Sequence, residues 1–216
     1  MAIQEATKKP QSAKERKTSR KQQILQALAQ MLEESPGQRI TTAGLAKQVG
    51  VSEAALYRHF PSKAKMFEAL IEFAEESIFS RVNKLKEGQI PVAQQCHQLF
   101  SLVLGFAHHN PGISRVLSGD ALVGETERLR KRVSQFFDRL ESQLKQFLKE
   151  AEIKEGLRLQ QTPSASANLL LVVIEGAIHQ YVRSEFARSP TACAEQQFQI
   201  LKDALLSQKS NAALEF

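Results

Sequence analysis

The stretch ITTAGLAKQVGVSEAALYRHFPSK, residues 40–63, decides how the chain reads. Thr41 and Thr42 stand where hydroxyl groups cap the free N–H groups at the start of a helix. Leu45, Ala46 and Val49 are spaced to bury one face of that helix. Gly50 then supplies the positive φ that follows a helix C-terminus. Ser52 caps a second short helix with Ala55, Leu56 and Phe60 inward, and Pro61 stops it. Ser62 caps the helix that comes next. Two short helices meeting at a glycine form a helix-turn-helix, which lays its second helix in the DNA major groove.

Helical period dominates on both sides of this segment. Ile24, Leu25, Leu28 and Leu32 make one apolar stripe, closed by Ser35-Pro36-Gly37. Phe67, Leu70, Ile71, Ala74, Ile78, Val82 and Leu85 line a longer helix that breaks at Gly88 to Pro91. Cys96, Leu99, Phe100, Val103 and Phe106 define the next, ended by Asn110-Pro111-Gly112, with a short segment around Ile113 to Leu117 behind it. A long amphipathic helix follows from Leu129 to Leu148. After a polar stretch, Lys154 to Pro163, come an apolar helix over 165–187 and a last one over 191–208. No strand alternation and no repeat is visible, so an all-α fold is expected. The expected organisation is a basic flexible arm (1–19), a helix-turn-helix domain (20–62), a helical regulatory and dimerisation domain (63–209) and a tail (210–216).

The helix over 165–187 is apolar almost all round and must be covered on several sides. Pairing with the last helix across a two-fold axis satisfies this, with Leu170, Ile174, Ile178, Tyr181, Phe198 and Leu201 as the expected interface. The centre of a monomeric bundle is the alternative. A dimer carries two heads, which reach successive major grooves roughly 34 Å apart.

Charge points the same way. The formal net charge is +6, and most of it sits in residues 1–21, where Lys8, Lys9, Lys14, Arg16, Lys17, Arg20 and Lys21 face only Glu5 and Glu15. Directly before a helix-turn-helix, such an arm suits a polyanion. Cys96 and Cys193 form no CxxC or Cys/His spacing, so neither a disulfide framework nor a zinc site is indicated, and a reducing cytoplasm is the simplest compartment. No apolar segment follows the basic arm as a signal peptide requires. The run Leu169 to Ile174 is too short to span a bilayer, so no membrane insertion is expected.

On the recognition helix, the outer edge consists of Ser52, Glu53, Ala54, Tyr57, Arg58 and His59, with Ala55 beside them. Small groups at its start let the backbone approach base edges, where Ala54 meets a thymine methyl. Tyr57, His59, Thr41 and Thr42 suit phosphate oxygens. Lys63, in the first turn of the following helix, adds a cation where helix N–H groups are free. Glu53 repels phosphate and has a second reading, as a carboxylate favoured at a helix N-terminus.

The string from Thr41 to Lys63 resembles the TetR family of dimeric helical DNA-binding proteins in its spacing, its glycine, Tyr57, Phe60, Pro61 and Lys63. Further segments, MFEALIEF (66–73), LGF (104–106), NPGISRVLSGDAL (110–122), FFDRLESQLKQ (136–146) and VRSEF (182–186), are similar to the nucleoid-occlusion branch of that family. That resemblance implies a cytoplasmic, nucleoid-associated homodimer on pseudo-palindromic chromosomal sites, with one or more dimers per site. It further implies that the DNA-bound protein engages the division GTPase FtsZ and blocks ring assembly over the chromosome. The implied FtsZ face comprises Phe73, Arg81, Leu102, Gly105 and Asn110. Three of them have a plainer alternative: core packing for Phe73, close contact within the chain for Gly105, a helix cap for Asn110.

An ordinary TetR-type repressor, released from its operator by a small inducer, is the main rival. The bundle's Leu, Val, Ile and Phe permit a pocket, but only His179 and Gln180 offer orienting groups on the apolar helix. No cofactor is indicated, and an enzyme is not expected. There is no nucleophile elbow, phosphate loop or dinucleotide turn, and adjacent His108 and His109 point about 100° apart on a helix, unlike a metal-binding i, i+4 pair.

Overall fold

A computed structural model describes residues 13–88 and 90–208. Among them nine α-helices follow one another: α1 (Ala13–Glu34), α2 (Thr42–Val49), α3 (Glu53–His59), α4 (Lys63–Glu87), α5 (Val92–His109), α6 (Pro111–Leu117), α7 (Glu127–Lys154), α8 (Pro163–Arg183) and α9 (Ala194–Leu205). A 3-10 turn at Asp120–Leu122 joins α6 to α7. The fold is all-α, as the periodicity predicts, with one addition. Leu157–Leu159 (β1) and Leu206–Gln208 (β2) pair antiparallel, Arg158 opposite Ser207. Strands of three residues are too short to show alternation in sequence.

The expected 1–19 arm lies outside the described residues up to position 12. From Ala13 the backbone is helical, so residues 13–19 extend α1 instead of forming a flexible arm. The tail over 210–216 also lies outside them. The α8 helix ends at Arg183 rather than near 187. Glu185 and Phe186 turn at φ 49° and 68°, and the Phe186 ring folds back to 5.1 Å from Tyr181.

One continuous core runs through head and bundle. Ile24, Leu28 and Leu32 of α1 meet Leu45 of α2 and Leu56 of α3. Beyond them Phe67, Leu70 and Ile71 of α4 lead into Phe100, Phe136, Leu140, Phe147 and Ile174. In the bundle α7 packs on α4, α5 and α8, its stripe of Leu129, Val133, Phe136, Leu140, Leu144 and Phe147 buried as the 3.6-residue period dictates. By length and composition α8 is apolar enough to cross a bilayer, but its Leu170, Leu171, Ile174 and Ile178 are buried against the rest of the chain.

The short α6 joins head to bundle. Six of its residues, Gly112 to Leu117, are buried. A Cβ placed on Gly112 would lie 2.0 Å from the carbonyl oxygen of Ala29. Only glycine allows the backbones of α6 and α1 to meet this closely.

Candidate nucleic-acid interface

The turn between α2 and α3 is assembled from local hydrogen bonds. The N–H of Gly44 donates to Thr41 Oγ1 at 3.1 Å, which caps α2. Gly50 ends that helix at φ 72°, ψ 39°, and the N–H of Val51 returns to Ala46 O at 2.9 Å. The N–H of Ala55 donates to Ser52 Oγ at 3.2 Å, which caps α3. Leu56 is fully buried and Phe60 nearly so, and these anchors turn the opposite edge of α3 outward.

On that edge Ser52, Glu53, Ala54, Tyr57 and Arg58 are exposed, as is Thr41 at the start of α2, while Thr42, Ala55, His59 and Lys63 are half-buried. Six of them lie at the starts of α2 and α3, Tyr57, Arg58 and His59 in the second half of α3, and Lys63 at the start of α4. The structure also pairs some of them. Thr42 Oγ1 donates to Glu53 Oε2 at 2.8 Å, tying the first turns of α2 and α3 together. The Lys63 Nζ lies 2.6 Å from Glu125 Oε1, with only 19% and 10% of the two side chains exposed. Sequence reasoning missed Glu125, because no pattern marks a loop carboxylate whose partner is sixty-two residues away. A cation in the first turn opposes the helix dipole by about 0.3–1 kcal/mol, and this carboxylate offsets that cost.

The head is fastened to the bundle by a second charge. Arg115 is 2% exposed. Its Nη1 donates to Leu32 O at 2.8 Å and to Ser35 O at 2.9 Å, and its Nε donates to Asp120 Oδ2. It thus satisfies carbonyls that the end of α1 leaves open.

On the α4–α5 face, Phe73 is 47% exposed, its ring 6.1 Å from that of Phe106. Arg81 is exposed farther along α4, and Leu102 and Gly105 are half-buried on α5. Phe73 is therefore not a core residue. Nor is Gly105 a site of close contact within the chain: a Cβ there would meet nothing within 4 Å. Asn110 does act as a helix-end group, its Nδ2 donating to Phe106 O at 2.8 Å.

The α8 and α9 residues expected at a dimer interface require correction. Leu170, Ile174, Ile178, Tyr181 and Phe198 are buried within the chain's own core, and Leu201 packs against it. The exposed apolar residues of α8 are instead Leu169 and Val172, with Ile200 69% exposed on α9. In a helix apolar all round, composition identifies two apolar faces but not which one points inward.

Burial pushes the Cys96 thiol up to about 12, with Glu155 adding to the rise, so this sulfur is a packing group and not a nucleophile. The His108 carbonyl oxygen accepts from Tyr181 Oη at 3.2 Å, and His109 Nδ1 lies 2.7 Å from Gly105 O. The His108 Nδ1 lies 3.2 Å from Ser189 Oγ, so both imidazoles have hydrogen-bond partners within the chain.

A helix-turn-helix head on a helical bundle is the architecture of a DNA-binding regulator of the TetR class. Residues 24–70 match "Bacterial regulatory proteins, tetR family", and residues 92–206 match the SlmA-like "Tetracyclin repressor-like, C-terminal domain". Within that class the chain belongs to the SlmA family. It is 58% identical to the nucleoid occlusion factor SlmA of Marinomonas sp. (strain MWYL1) over 191 residues, 88% of this chain and 97% of that relative. It is 56% identical to SlmA of Shewanella pealeana (strain ATCC 700345 / ANG-SQ1), covering 88% and 96%. Among solved structures, the MbdR regulator from Azoarcus sp. CIB superposes with a TM-score of 0.73 at 14% identity, over 87% of this chain and all of that one. A TetR transcription regulator from Haloarcula marismortui does so with a TM-score of 0.73 at 19% identity, over 88% and 100%. At these identities the two structures speak for the fold alone.

Proposed function

We propose that the protein is a homodimeric nucleoid occlusion factor of the cytoplasm. It binds pseudo-palindromic chromosomal sites and, when DNA-bound, engages FtsZ and blocks ring assembly over the chromosome. The observation that carries this reading is the 58% identity to a nucleoid occlusion factor, which spans head and bundle alike. A bundle adapted to an unrelated inducer has no reason to keep that similarity.

Two copies join through the exposed stripe of Leu169, Val172 and Ile200, presenting two heads one helical turn of DNA apart, about 34 Å. Ser52, Glu53, Ala54 and Ala55 bring the start of α3 to the base edges, with Glu53 acting through Thr42. Thr41, Tyr57, Arg58, His59 and Lys63 serve the phosphates. The α4–α5 face, with Phe73, Arg81, Leu102 and Gly105, receives the division protein, and Asn110 holds the end of that face in shape.

The test is FtsZ assembly, followed by light scattering, with the purified protein and chromosomal fragments selected by its own binding. Inhibition is expected with selected fragments and not with unselected DNA. No inhibition with either, together with release from the fragments by a small molecule, overturns the reading in favour of an inducible repressor.

A further inference from the structure

We infer that Glu125, outside the helix-turn-helix head, is a positioning residue for DNA binding: it holds the Lys63 ammonium and so sets how strongly the head grips phosphate. This rests on the proposed role of Lys63 as a phosphate ligand.

The geometry leaves Lys63 little freedom. Its Nζ lies 2.6 Å from Glu125 Oε1, and both side chains are largely buried. On another side it sits 5.4 Å from the centre of the Phe67 ring. The carboxylate is itself fixed by the chain. Gly124 turns at φ 78° just before it, the Glu125 N–H donates to Leu122 O at 3.0 Å, and α7 begins two residues later. The neighbouring carboxylate of Asp120 is engaged by Arg115 and does not compete for the lysine. Partial burial keeps such a pair from being screened as surface pairs are. A phosphate arriving at the start of α4 therefore meets a cation already neutralised by the bundle, and it must share the ammonium with Glu125 or draw it away. Glu125 keeps the cation aimed and also restrains it.

The experiment is a DNA-binding titration over a series of salt concentrations, using one fragment selected by the unaltered protein. It compares that protein with Glu125→Gln, Lys63→Met and the double variant, with a thermal melt of each. Glu125→Gln preserves side-chain shape and leaves the ammonium free. It is expected to tighten binding by about 3- to 10-fold and to steepen the dependence of log K on log salt by less than about 0.9, the contribution of one whole phosphate, because the paired lysine already carries part of it. In the Lys63→Met background the same substitution is expected to change affinity by less than about twofold, because its effect runs through the lysine. Equal gains in both backgrounds mean that Glu125 acts only as a distant charge, which overturns the inference. So does a Glu125→Gln protein that binds no better than the unaltered one, or whose weaker binding follows a lower melting temperature. A Lys63→Met protein with unaltered affinity and salt slope removes the lysine from the phosphate contacts and overturns the inference with it. The occlusion reading is judged separately, by FtsZ assembly.

Discussion

The guanidinium of Arg115 on α6 reaches back to the end of α1 and donates to the carbonyl oxygen of Leu32 at 2.8 Å. Eighty-three residues separate the two in sequence, and the bond joins the bundle to the DNA-reading head. The same Nη1 also serves Ser35 O, just past the end of α1, which accepts from the Gln38 N–H as well. With the close approach of Gly112 to Ala29, α6 and α1 behave as one packed unit. The orientation of the head is thereby set from the bundle as well as by the covalent link into α4.

Replacing Arg115 by methionine keeps much of its volume and removes its donors. The buried Leu32 carbonyl then loses its donor, at about 1–3 kcal/mol, while Ser35 O keeps the Gln38 N–H at 3.2 Å and Asp120, with 41% of its side chain exposed, regains water. The expected loss of stability is about 1–3 kcal/mol, measured by urea unfolding. Asp120→Asn is expected to cost under about 1 kcal/mol, since its partner keeps both carbonyl bonds.

Gly112→Ala probes the same joint sterically. In an open helix, alanine in place of glycine gains about 1 kcal/mol. Here the new methyl falls 2.0 Å from Ala29 O and 3.1 Å from Leu32 Cβ, and the backbone atom cannot rotate away. Overpacking of this kind costs about 1–3 kcal/mol. A lowered melting temperature with weaker DNA binding is expected, because α1 must shift. A variant that melts higher than the unaltered protein contradicts the contact.

Most of the head was legible in sequence because each of its joints has a local signature. Thr41, Gly50, Ser52 and Ser62 act within three or four residues of where they stand, and short-range hydrogen bonds need no knowledge of the rest of the chain. The joints α1–α6 and α4–α7 were not legible, since Arg115 and Glu125 find partners dozens of residues away and no periodicity encodes that. The two apolar faces of α8 were visible, but not which was inside. The neighbours that decide this, α5 and α7, are fixed only by the assembled bundle.

That ambiguity gives a paired test. Val172 is 54% exposed and Ile174 fully buried, although both are aliphatic residues of one helix. Val172→Glu is expected to yield a monomer by sedimentation and to weaken DNA binding, because the two heads are no longer linked. Ile174→Ala is expected to keep the dimer and lose about 2–5 kcal/mol of stability. The reverse pattern returns the interface to the buried face.

Gly105 separates structure from partner binding more cleanly than any other position on α5. Glycine inside an eighteen-residue helix costs about 1 kcal/mol relative to alanine, and here no contact within the chain requires it, since an added Cβ meets only open space. Gly105→Ala is therefore expected to raise thermal stability while leaving DNA affinity unchanged. If a second protein lays its backbone against the α4–α5 face beside Phe73, the same methyl stands in its way, and inhibition of FtsZ assembly falls. Phe73→Ala removes apolar area from that face at a folding cost of about 1 kcal/mol or less, as expected for a half-exposed side chain, and is expected to reduce inhibition in the same way. Stability rising in one variant, falling slightly in the other and inhibition lost in both can be explained only by contact with a partner. Full inhibition by the more stable Gly105→Ala protein places the partner elsewhere on the bundle.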